Sequence, residues 1–159
     1  MRFRDAFVKS AAIVLPPRVV SSLEIEARLA PVYERLRLSA GRLELMTGIR
    51  ERRFWDPGTR SSAAAARAGE EAIRQAGIPR ESLGCLIHAS VCRDYLEPAT
   101  ASLVHERLGL SGDAVIFDLS NACLGVLNGM VQAAIMIDAG QIESALVVSG
   151  ETAEPLYEA

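Results

Sequence analysis

The sequence predicts an α/β fold built on a mostly parallel sheet, and three observations carry that reading. Short apolar runs at 83–91, 115–119 and 145–149 alternate with segments of helical length. Such alternation implies βαβ crossovers. The runs are apolar continuously rather than at every second residue, as in strands covered on both faces. The stretch 124–137 is apolar almost all round, so it predicts a central helix over 123–139 enclosed by protein.

Taken in order, residues 7–15 form an apolar run closed by Pro16-Pro17 and predict a first strand. Ser21 or Ser22 can cap the next segment, with Glu24 in its first turn, and Pro31 interrupts its helical continuity. Residues 35–58 are mixed and basic and read as loop with short elements. Ser61-Ser62 then opens the helix AAAARAGEEAIRQA, stopped by Gly77 and Pro79. The strand at 83–91 follows, then a helix at 101–108 opened by Pro98 and Thr100 and ended by Gly109. After the strand at 115–119, Ser120-Asn121 lead into the apolar helix, which Gly140 ends before the last strand. Gly125 and Gly129 lie four apart and leave one face of that helix open to close approach. A single domain over 1–159 is expected from the length.

Half of the residues are apolar and 23% are charged, which excludes a disordered chain. The net charge of −3 argues against nucleic acid as a partner. Residues 1–80 hold 15 basic and 9 acidic groups, whereas 81–159 hold 2 and 11, so only the first half offers a basic surface. No signal-peptide core and no apolar stretch of spanning length occur, so a cytoplasmic protein without a membrane span is expected. Three cysteines without a CxxC pair, and two histidines, point to neither a disulfide framework nor a metal site. Phosphate-binding glycine loops, HExxH and GxSxG are absent.

Cys123 lies just after a predicted strand and at the start of the apolar helix. Unpaired N–H groups and the positive end of a helix dipole stabilise a thiolate there, and a backbone N–H can receive an oxyanion. A buried structural cysteine is the alternative, and it is the favoured reading for Cys85 and Cys92. Glu97 precedes Pro98 at a helix entrance, where a carboxylate serves either as a base or as a cap. Arg50, Arg52 and Arg53 form a basic cluster suited to a phosphate or an acidic protein, or to pairing on the surface. His88 and His105 read as ordinary strand and helix residues.

The segments TGIRERR (47–53), AGI (76–78), LIHASVCRDYLEPATAS (86–102), LG (108–109), FDLSNACLGVLNGM (117–130) and ALVVSGE (145–151) together resemble the N-terminal half of a thiolase-fold condensing enzyme of the ketoacyl-carrier-protein synthase III group. RDYLEPATAS with NACLGVLNGM resembles the branch that joins two fatty acyl chains head to head in bacterial olefin biosynthesis. The resemblance implies a Claisen condensation of fatty acyl thioesters without a metal or prosthetic group. Coenzyme A or an acyl carrier protein then presents the acyl chain as substrate.

By the same resemblance, Cys123 matches the acylated nucleophile and its N–H an oxyanion donor. Glu97 matches a base that reaches into the partner subunit's site, and Arg50, Arg52 and Arg53 are candidate carrier contacts. Where short-chain members have an arginine beside the adenine, this chain has Met46. The family's second half carries a histidine and usually an asparagine that complete the site. The chain is therefore expected to be incomplete and inactive alone, and to require a complementary half or a homodimer. A hydroxymethylglutaryl-coenzyme A synthase, which also combines a cysteine with an upstream glutamate, and a non-catalytic pairing domain are the alternatives.

Overall fold

In the computed structural model, which describes residues 2–152, the chain forms two units: 15–57, and 58–152 together with 2–14. The smaller unit holds an antiparallel pair, β1 (Arg18–Ser21) with β2 (Glu51–Phe54), in the register Arg18↔Phe54 and Ser21↔Glu51. Of the two serines that could cap helix α1 (Ser22–Arg28), Ser21 does so, in a reciprocal pair: Ser21 Oγ accepts from Glu24 N at 3.1 Å, and Ser21 N donates to Glu24 Oε2 at 2.8 Å. Pro31 cannot continue α1 and instead stands in the first turn of α2 (Ala30–Leu36). The short α3 (Arg42–Thr47) runs between Gly41 and Gly48, both left-handed at φ 83° and 68°. The buried Glu26 carboxylate accepts from Leu43 N, Gly41 N and Tyr33 Oη, the two backbone donors first among the causes that hold it below the usual carboxylate range.

The larger unit contains α4 (Ser61–Ala76), β3 (Cys85–Ala89), α5 (Thr100–Leu108), β4 (Val115–Leu119), α6 (Gly125–Asp138) and β5 (Ala145–Val148). The three strands form a parallel sheet in the order β4-β3-β5, with Ile87 facing Phe117 on one side and Val147 on the other. The central strand β3 is buried throughout, which is why its sequence is apolar without alternation. Helices α4 and α5 cover one face through Ala65, Ile73, Val104 and Leu108 against Leu86, Leu146 and Val148. Helix α6 covers the other through Ala133, against Cys85 and Ile87. None of the helices is long and apolar enough to cross a membrane, among the described residues.

Two expectations fail here. Residues 7–15 form no strand; Phe7 and Ile13 are about four-fifths exposed, at 80% and 78%, and no described strand lies beside them to complete a ladder. The segment is fixed differently: Arg4 N and Asp5 N donate to the Asp138 carboxylate, and Ser10 Oγ donates to Ala72 O. Helix α6 is not enclosed on all sides either. Gly125, Gly129 and Ala133 face the sheet, while Leu124 (54%) and Leu127 (56%) remain exposed. The close approach that the glycines permit is to strands, because a methyl group at Gly129 would come within 2.8 Å of Val147 Cγ1.

Among the described glycines, the one with least room for a side chain is Gly150, where the chain leaves β5 across the start of α4. A methyl group there would stand 2.1 Å from Ser61 O and 2.8 Å from Ala65 N, both backbone atoms that cannot swing aside. Gly150→Ala should therefore cost about 3 kcal/mol, the upper end for overpacking. Denaturant unfolding checks this; an unchanged midpoint would show that the approach is looser than described.

Candidate active site

Because the three strands are parallel, their carboxyl ends share one edge of the sheet. In open α/β sheets ligands bind outside that edge. Three segments of interest leave it: the Glu97 loop after β3, the Cys123 turn after β4, and Glu151 after β5.

Cys123 sits in a 3-10 turn, Ala122–Leu124, rather than on the helix proper, which begins at Gly125. Leu124 N donates to Asn121 O and Gly125 N to Ala122 O, so the turn is closed around the cysteine. Ala122 adopts φ 42°, a left-handed conformation that costs a non-glycine residue about 1–2 kcal/mol. Such strain gathers at functional positions. It sits one residue before the thiol, and nothing in the letters NAC announces it.

The three cysteines differ sharply in setting. Cys123 is exposed, Cys92 half-buried and Cys85 buried. Burial pushes the Cys85 and Cys92 thiols up, away from the reactive thiolate.

Glu97 lies on the loop between β3 and α5, exposed together with Leu96, which is 84% accessible. Its loop is anchored on either side of it. Ser90 Oγ and Val91 N donate to Glu151 Oε1 at 2.9 and 3.2 Å, and Thr152 N donates to Cys92 Sγ. Asp94 accepts from Ser62 N at 2.9 Å and from Ser62 Oγ, and the Arg60 guanidinium lies over the Tyr95 ring at 5.1 Å. No hydrogen bond joins Glu97 to Cys123 among the described residues. The cap alternative for Glu97 does not hold: the start of α5 is capped by Asp118, which accepts from Thr100 N at 2.8 Å and Ala101 N at 2.7 Å. Sequence reasoning missed Asp118, since a strand residue 18 positions away carries no local capping signal.

The arginines do not act as one cluster. Arg52 and Arg53 are neighbours on β2 and point to opposite sides of it. Arg52 donates to Ser22 Oγ at 2.9 Å, Arg53 reaches Pro16 O at 3.4 Å, and Arg50 is exposed. His105 Nε2 lies 2.9 Å from Ser111 O, at the end of α5. His88, by contrast, is fully buried among polar groups.

With this geometry in place, comparison with known proteins gives one answer. The 3-oxoacyl-(acyl-carrier-protein) synthase III family matches residues 117–157, the stretch that holds Cys123. An acyl-CoA:acyl-CoA alkyltransferase of Shewanella oneidensis is 45% identical over 99% of this chain and 45% of its own length. A beta-ketoacyl-(acyl-carrier-protein) synthase III of Symbiobacterium thermophilum is 37% identical over 95% of this chain and 43% of its own. The crystal structure of Xanthomonas campestris OleA with cerulenin bound superimposes with a TM-score of 0.94 at 44% identity, covering 98% of this chain and 45% of that one. The chain thus spans about half the length of the curated relatives that it matches. In sequence and in fold the chain is similar, over about half of their length, to enzymes of the 3-oxoacyl-carrier-protein synthase III group and to acyl-CoA:acyl-CoA alkyltransferases.

Proposed function

We propose that the chain carries the nucleophile and the base of an enzyme that joins two fatty acyl thioesters by Claisen condensation. One observation carries the reading: Cys123 alone of the three cysteines is exposed, on a strained turn at the carboxyl edge of the parallel sheet. The Cys123 thiol gives up its proton and attacks the carbonyl of the first thioester as the thiolate, and the carrier leaves as a thiolate that takes up that proton. Its backbone N–H receives the oxyanion that forms on the way. Glu97 then removes a proton from the carbon beside the carbonyl of a second thioester. The resulting carbanion attacks the acyl group on Cys123, the C–C bond forms, and the Cys123 thiolate departs to leave a 3-oxoacyl thioester. No metal or prosthetic group enters these steps.

Two further facts support the assignment. Solved variants of Xanthomonas OleA replace a glutamate and a cysteine that stand as far apart in sequence as Glu97 and Cys123. The cap role that would otherwise explain Glu97 belongs to Asp118. Coenzyme A or an acyl carrier protein is the thioester's carrier, with Arg50 and Arg53 the exposed two of the three candidate arginines. The uncovered face of α6 calls for a complementary half or a second copy, since burying apolar surface yields ~25 cal/mol per Å².

The test is the product. The full encoded protein, given one long-chain acyl-CoA, should release free coenzyme A and form a 3-oxoacyl species containing both acyl chains, detected by mass. Release of free fatty acid alone would indicate hydrolysis and overturn the reading.

A further inference from the structure

The carboxyl edge of the sheet holds a buried polar chain with no part in the chemistry above. His88 is 0% exposed, at the penultimate position of β3, flanked across the sheet by Asp118 and Val148. Its Nε2 lies 3.1 Å from Ser61 Oγ, at the start of α4. Its Nδ1 makes no hydrogen bond among the described residues and lies 3.4 Å from Asp118 Oδ1.

Burial lowers the proton affinity of His88 against the opposing pull of Asp118, Asp94 and Glu151. A neutral ring has one N–H. With Asp118 before it, the proton belongs on Nδ1, and Nε2 faces Ser61 Oγ, whose single proton is shared between Nε2 and Cys92 O, to which it donates at 3.2 Å.

Asp118 is the pivotal neighbour. It stands on β4, five residues before Cys123, and its two oxygens take Thr100 N and Ala101 N just beyond Glu97-Pro98. One side chain thus ties the strand that leads to the nucleophile to the helix entrance behind the base. We propose that His88 is a positioning residue for condensation: by holding Asp118 it fixes the entrance of α5 and, with it, the loop that carries Glu97. This rests on the proposed function, in which Glu97 is the base of the condensation step. A displacement of about 1 Å at a reacting centre costs on the order of 100-fold in rate.

The experiment compares His88→Asn, His88→Gln and His88→Ala in the full encoded protein and follows two steps separately. Acylation is read from the first-turnover release of coenzyme A, and condensation from formation of the 3-oxoacyl product. The asparagine amide nitrogen can take the place of Nδ1 and keep a donor toward Asp118; the glutamine amide reaches toward Ser61 instead. His88→Gln and His88→Ala should lower condensation by about 10–100-fold while acylation stays within about threefold. His88→Asn should restore condensation to within about threefold of wild type.

Equal condensation rates in the asparagine and glutamine variants would overturn the proposal, as would a parallel fall of both steps. Should His88→Ala fail to fold, the asparagine–glutamine pair still decides. A wild-type protein that takes up no acyl group would sink the proposed function, and this proposal with it. An active wild type with indifferent variants would sink the positioning role alone.

Discussion

Cys123→Ser should abolish acyl uptake, lowering first-turnover release of coenzyme A by ~10³-fold or more, the scale of losing an attacking nucleophile. A serine hydroxyl at the same turn keeps the shape and lacks the thiolate. Cys92→Ser should take up acyl groups as wild type does, because Cys92 serves its loop: Cys92 N donates to Ser90 Oγ and its Sγ accepts from Thr152 N. Cys85→Ser places a hydroxyl in the sheet interior beside Ile87 and Ala133, at a cost of about 1–3 kcal/mol for a buried polar group. Its uptake per folded molecule should nevertheless be unchanged. Stability and chemistry therefore separate cleanly between the three positions.

Glu97→Gln should leave acylation intact and slow condensation by about 10²–10⁴-fold, the range for a general base. The amide keeps the size and the hydrogen bonding of the carboxylate but cannot take the proton. Glu97 is exposed at the tip of a loop anchored behind it by Asp94 and Glu151, a geometry suited to reaching across a two-fold interface. If the protein is a dimer in which Glu97 serves the partner's site, mixing Cys123→Ser with Glu97→Gln protein gives a heterodimer with one doubly defective site and one intact site. Part of the condensation activity should return. No recovery, with heterodimers shown to form, would place Glu97 in its own subunit's site.

Much of this architecture is written in local chemistry. The Ser21–Glu24 capping box, the Pro31 break, and the stops at Gly77 and Gly109 lie within a few residues of the features they control. The strands β3, β4 and β5 follow from apolar runs of the right length between turn residues. What was illegible depends on partners distant in sequence. The run at 7–15 has strand propensity, yet a strand exists only where another edge pairs with it, and none does among the described residues.

The apolar α6 shows how much surface needs cover, but not which face the sheet takes: the small residues Gly125, Gly129 and Ala133 go inward and the larger Leu124 and Leu127 stay outside. Cys123 stands out in the sequence, but the left-handed Ala122 beneath it does not. Nor does the Ser61–His88–Asp118 chain, whose members come from three elements that meet only when the parallel sheet has formed. His88 read as an ordinary strand residue because burial among polar partners has no signature in a single letter.

If Cys123 is the nucleophile, the acyl group resides on it, and mapping that group on the protein decides the matter. Wild-type protein is incubated briefly with a long-chain acyl-CoA, quenched in acid, digested, and its peptides are weighed. The mass of one acyl chain is expected on the peptide that contains Cys123, and on no peptide of the Cys123→Ser protein. An acyl mass on the peptides of Cys85 or Cys92, or product formed with no acylated cysteine at any time, would contradict the account.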